Sequence, residues 1–75
     1  MIEQGTIVKG TNRSELLSGV VVRSKTHKRD TEATVAEVLF QVGTNERAIY
    51  VYVEKEFHLV KDTHSRIAPV RLEVA

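Results

Sequence analysis

VLFQVGTNERAIYVYV, residues 38–53, decides the fold. Two runs rich in β-branched and aromatic residues flank Gly43, Thr44, Asn45 and Glu46, the pattern of a hairpin with a loop of about four residues. If Val42 faces Arg47, then Phe40 faces Ile49, Val38 faces Val51 and Ala36 faces Val53. Nearly every side chain on that face is apolar, so it is expected to be the core. The opposite face then carries Glu37, Leu39, Gln41, Ala48, Tyr50 and Tyr52, and the two tyrosines are expected to point away from the core. Two uses fit outward tyrosines: cover by the N-terminal segment or a second copy of the chain, or a stacking platform for bases or a peptide.

Outward from this hairpin the strand signals continue. GTIVKG (5–10), GVVVRS (19–24), TVAEVLFQV (34–42), RAIYVYV (47–53) and PVRLEV (69–74) are short, rich in Val and Ile, and separated by turn-forming residues. NRSELLSG (12–19) holds under two turns of helical pattern and reads as a structured loop. In EKEFHLVKD (54–62) a short turn is expected to drop Phe57 into the core before a brief strand. In the tail, Val70, Leu72 and Val74 alternate with Arg71 and Glu73. Pro69 lacks an amide to donate, so this is expected to be an edge strand or one that begins there.

Five or six short strands in 75 residues leave room for a small barrel or two orthogonal sheets. Over FQVGTNERAIYVYVEKEFHLV (40–60) the order of signals resembles the SH3-like small barrels, including the Tudor and KOW-type modules. TNRSELLSG (11–19) occupies the place of their long first loop, and KTHKRDTEA (25–33) that of the loop before the distal hairpin. The likeness spans roughly residues 5–60 and consists of pattern without signature residues. It implies an all-β, SH3-like small barrel of five or six short antiparallel strands, a fold whose members bind peptides, modified side chains, RNA or DNA. The 15 residues after Val60 exceed what such a barrel needs, and a strand at 67–74 would suit pairing across a two-fold axis.

A chain of this length is expected to be one domain, burying about 60–65% of the surface its unfolded form exposes. It contains no cysteine, so neither a disulfide nor a thiolate metal site supports it, and a homodimer would add buried surface. No apolar run approaches the roughly 18–20 residues of a membrane helix, and MIEQGTIVKG lacks the pattern of a signal peptide. The expectation is a cytoplasmic protein with no membrane partner.

The formal net charge is +1, yet RSKTHKRD (23–30) concentrates Arg23, Lys25, Lys28 and Arg29 around His27. Four positive charges at 23–29 leave 1 − 4 = −3 for the remainder, so the charge is polarised. Such a segment makes salt-dependent phosphate contacts or is simply a solvated loop, with Asp30 and Glu32 offsetting part of its field. Arg23 ends the apolar run Val20, Val21, Val22 and is expected on a strand, sharing a face with Val21.

Other chemistries find little support. His27, His58 and His64 include no short ligand pair of the kind zinc sites use, and His58 is expected to face outward. DTHS (62–65) gathers Asp62, His64 and Ser65 in one loop, where turn hydrogen bonding explains them better than a catalytic triad. Cleavage by paired imidazoles would need a pocket unusual in so small a barrel. Gly5, Gly10, Gly19 and Gly43 are scattered at strand ends rather than gathered into a phosphate loop.

No metal, cofactor or enzymatic activity is expected. The favoured reading is a non-catalytic nucleic-acid-binding module using Arg23, Lys25, His27, Lys28, Arg29, Tyr50 and Tyr52. The alternative is a protein-interaction or homo-oligomeric assembly module in the manner of small phage or mobile-element accessory proteins.

Overall fold

Among the described residues, alternating buried and exposed positions generate six strands: β1 (Ile7–Asn12), β2 (Glu15–Thr26), β3 (Thr34–Phe40), β4 (Arg47–Val53), β5 (Glu56–Asp62) and β6 (Leu72–Val74). The structure, a computed structural model, describes residues 1–41, 46–62 and 68–75. All pairings are antiparallel, in the order β5-β4-β3-β2-β1-β6. Five strands form a meander, and the chain then returns so that β6 pairs with β1. The sheet curls into a half-barrel that brings its two end strands, β5 and β6, into contact. The expected all-β, small-barrel architecture is thus present, and the strand following Pro69 stands at the end of the sheet order as expected.

Two of the reversals are tight. Asn12 pairs with Glu15 and Val53 with Glu56, leaving two-residue loops at Arg13–Ser14 and Glu54–Lys55. All four loop residues have positive φ: 52°, 69°, 53° and 65°. That is the type I′ geometry whose twist matches the flanking strands, here adopted without glycine. The expectation of a structured loop at 12–19 is corrected accordingly: Arg13 and Ser14 make the turn, and Glu15 onward is strand. The Glu54–Lys55 turn does deliver Phe57 to the core, where it is buried.

The register of β3 on β4 departs from expectation. Ala36 faces Tyr50, Val38 faces Ala48 and Thr34 faces Tyr52, and the Phe40 amide donates to the Glu46 carbonyl at 2.7 Å. The expected Ala36–Val53 pairing is displaced by three positions, an odd number, which turns β4 over. The proposed Val42–Arg47 pair and the loop at Gly43, Thr44 and Asn45 include residues outside those described. Ala36, Val38 and Phe40 do face the core, but the β4 residues on that face are Ala48, Tyr50 and Tyr52. Both faces of β4 are apolar, and aromatic burial selects between them. All four aromatic residues of the chain join one cluster. Tyr50 meets Phe40 and Phe57 edge-on with centroids 6.3 and 5.9 Å away, and Tyr52 lies 4.6 Å from Phe57. The smaller β-branched side chains Ile49, Val51 and Val53 are left half-buried on the outside.

Tyr50 also anchors the C-terminal segment. Its hydroxyl donates to the Pro69 carbonyl, a buried hydrogen bond. The Asp62 carboxylate accepts from the Ala68 amide at 3.2 Å, a second tie at the residue before Pro69. Across the sheet, Gly10 makes room: a Cβ there would stand 2.5 Å from the Arg71 carbonyl oxygen and 2.7 Å from Pro69 Cβ. A side chain at position 10 would push away the segment that β6 follows. Burial, and then the Asp62 carboxylate, raise the Tyr50 phenol above its ordinary value. The neutral phenol is the folded form, so its contribution is complete below the ordinary tyrosine pKa of 10.0 and declines as pH rises beyond it.

Left-handed backbone costs a side-chain-bearing residue about 1–2 kcal/mol that Asn and Gly largely avoid. Replacing Glu54→Asn together with Lys55→Gly is expected to stabilise the fold by about 1 kcal/mol. The change should appear as a higher urea midpoint at unchanged m-value; a lower midpoint would contradict the turn assignment.

Candidate nucleic-acid interface

An irregularity in β2 decides where its basic residues point. Gly19, Val20 and Val21 pair with Phe40, Leu39 and Val38, but Arg23, Ser24, Lys25 and Thr26 pair with Glu37, Ala36, Val35 and Thr34. Val22 is the extra residue of a β-bulge, and it reverses the alternation. Val21 is buried, while Arg23 and Lys25 face outward. The expectation that Arg23 shares a face with Val21 is therefore wrong, although its placement on a strand is right. Lys25 and Thr26 likewise belong to β2 rather than to the loop.

The outward face is organised in rows across the strands. Arg23, Glu37, Ile49 and Lys61 form one row; Lys25, Val35, Val51 and His58 form the next; Leu39 pairs with Arg47 on the same side. His58 is exposed, as expected. Glu37 sits between two arginines, with Arg47 Nη1 at 3.1 Å and Arg23 Nε at 3.9 Å. Pairs this exposed contribute little stability. They orient the two guanidinium groups while leaving them accessible: the Arg23 side chain is 84% exposed.

The connection from β2 to β3 is built by local hydrogen bonds. The His27 amide donates to the Ala33 carbonyl and the Ala33 amide to the Asp30 carbonyl, each at 3.0 Å. The His27 ring turns back on its own loop, where Nδ1 accepts from the amides of Arg29 and Asp30 at 3.1 and 3.3 Å. A nitrogen that accepts carries no proton, so this geometry places the neutral ring's proton on Nε2. The Asp30 carboxylate accepts from the Glu32 amide at 3.0 Å. Lys25, Lys28 and Arg29 make no ion pair among the described residues. Together with Thr26, His27 and Val35 they line an open depression of about 380 Å³. Because Lys25 and Val35 are a cross-strand pair on the outward face, the loop bends toward that face.

The tyrosines stand on the other side. Tyr50 is fully buried and Tyr52 half-buried, both directed into the aromatic cluster. A stacking platform made of Tyr50 and Tyr52 is thereby excluded, and with it their place beside the basic residues. The reason is the three-position change of register. Arg23, Lys25, His27, Lys28 and Arg29 do come together on one side. Sequence reading missed Arg47 and Lys61, which the corrected register brings to the same face. Their only signal was alternation with Ile49 and Leu59, which could be read in either direction. Of the Asp62, His64 and Ser65 group, Asp62 is engaged with the Ala68 amide; Thr63, His64 and Ser65 lie outside the described residues. No family model, curated protein or solved structure matches this chain.

In asparagine, Oδ1 occupies the position that Nδ1 takes in the imidazole, so His27→Asn should retain the acceptor whereas His27→Ala deletes it. The alanine variant is expected to lose about 1 kcal/mol and to show faster hydrogen exchange at the Arg29 and Asp30 amides. The asparagine variant should resemble the parent on both measures.

Proposed function

We propose that this chain is a non-catalytic module that binds nucleic acid through its phosphate backbone, along the outward face of β2 to β5 and the 27–33 loop. The observation that carries this reading is the register. It gathers Arg23, Lys25, Arg47 and Lys61, which are distant in sequence, on one face against only Glu37 and Glu56 on the same strands. The loop adds Lys28 and Arg29. From β2 to β5 is three strand spacings, about 14 Å, which spans about four phosphates of one B-form strand. Half-buried Val35, Ile49 and Val51 form the floor between these cations. With both tyrosines inside, affinity comes from phosphate contacts and counterion release, without base stacking.

A second reading, protein interaction or homo-oligomeric assembly, draws on a different region. Ile7 and Leu16 are 53% and 67% exposed on the outside of the β1–β2 hairpin. A dimer in light scattering that becomes monomeric in Leu16→Glu would favour this assembly reading.

Binding to a DNA or RNA oligonucleotide should weaken steeply with salt. Neutralising Lys25, Lys28 and Arg29 together to Gln should lower the magnitude of the log–log salt slope by about 2–3. Arg47→Gln and Lys61→Gln should each weaken binding further, while a folded Tyr50→Phe variant should bind as the parent does. Absence of binding at low salt would refute the proposal.

A further inference from the structure

Three cationic side chains converge on one depression, which is more positive charge than a single backbone phosphate balances. A phosphodiester carries one negative charge, whereas a phosphate monoester carries about −1.5 to −2 at neutral pH and offers three strong acceptor oxygens. The depression presents Lys25, Lys28 and Arg29, none in an ion pair among the described residues. His27 also lines it, and because its Nδ1 accepts from the Arg29 and Asp30 amides the neutral ring carries its proton on Nε2. Neither loop carboxylate, Asp30 or Glu32, lines the depression, and that of Asp30 accepts from the Glu32 amide. Val35 supplies an apolar wall, and the volume of about 380 Å³ lies at the lower end of the range for small-ligand sites.

We infer that this depression is the seat of a phosphate monoester, with the sugar or base that bears the phosphate resting on Val35. The inference rests on reading the outward face as a nucleic-acid surface, where the monoester would be the phosphorylated end of a strand. A free nucleoside monophosphate presents the same chemistry, and the two sources separate by experiment.

The probes are single strands of about ten nucleotides bearing a 5′-phosphate, a 3′-phosphate or hydroxyls at both ends, together with inorganic phosphate and adenosine monophosphate. Fluorescence anisotropy gives affinities for the strands, and amide shifts of the ¹⁵N-labelled protein locate binding. An end-phosphorylated strand is expected to bind roughly tenfold more tightly than the hydroxyl-ended strand, with shifts centred on residues 25–30. Lys28→Gln with Arg29→Gln should abolish that preference, whereas Arg47→Gln should weaken all strands alike. Equal binding of phosphorylated and hydroxyl-ended strands overturns the monoester seat while leaving the broader surface intact. If no strand binds at low salt but adenosine monophosphate shifts residues 25–30, the seat stands for a small ligand and the nucleic-acid reading falls. If neither strands nor small phosphates bind, both are overturned.

Discussion

Burial of Tyr50 is the constraint on which the remaining structure depends. Its ring fills the space between Phe40 and Phe57, and its hydroxyl holds the Pro69 carbonyl, which brings the C-terminal segment over the core ahead of β6. A buried phenol needs a partner for its hydroxyl, and an unsatisfied one would cost about 1–3 kcal/mol. The meeting of Tyr50 with Pro69 therefore couples β4 to the last strand, and Gly10 leaves the space in which that meeting occurs. In a chain with only four aromatic residues, no other cluster could replace this one.

The same choice determines the outer surface. With Ala48, Tyr50 and Tyr52 inside, Arg47, Ile49 and Val51 must face outward, and pairing carries the outward set to Lys61 and His58. The bulge at Val22 then turns Arg23 and Lys25 to that side rather than into the core. A nearly neutral protein acquires a locally cationic face in this way. Its charge is assembled by cross-strand register, so net charge alone conveys little about its partners.

Much of the fold was legible because local chemistry and burial agree. The strand segments, the turn before Phe57, the inward face of β3 and the edge position of the strand after Pro69 follow from alternation and from proline's missing amide. The face of β4 was not legible: Ile49, Val51 and Val53 are as apolar as Ala48, Tyr50 and Tyr52, and only three-dimensional packing separates the sets. Val20, Val21 and Val22 give no sign of which residue is the bulge. Arg13–Ser14 and Glu54–Lys55 lack the Asn-Gly signature of their turn type. For the candidate site, the contiguous basic cluster was readable, whereas Arg47 and Lys61 became visible only through pairing, and the tyrosines were placed wrongly by the same register error.

The register can be tested through Tyr50 itself, since the chain has two tyrosines and no tryptophan. In a Tyr52→Phe variant the only phenol is Tyr50, and alkaline titration can be followed by phenolate absorbance alongside the circular dichroism of the sheet. Buried as described, Tyr50 should show no phenolate at the ordinary tyrosine pKa of 10.0 while the sheet is intact, ionising only as the fold is lost at higher pH. A full titration about pH 10 with unchanged sheet signal would place the ring outside, return β4 to the opposite face and contradict the cationic surface built on it.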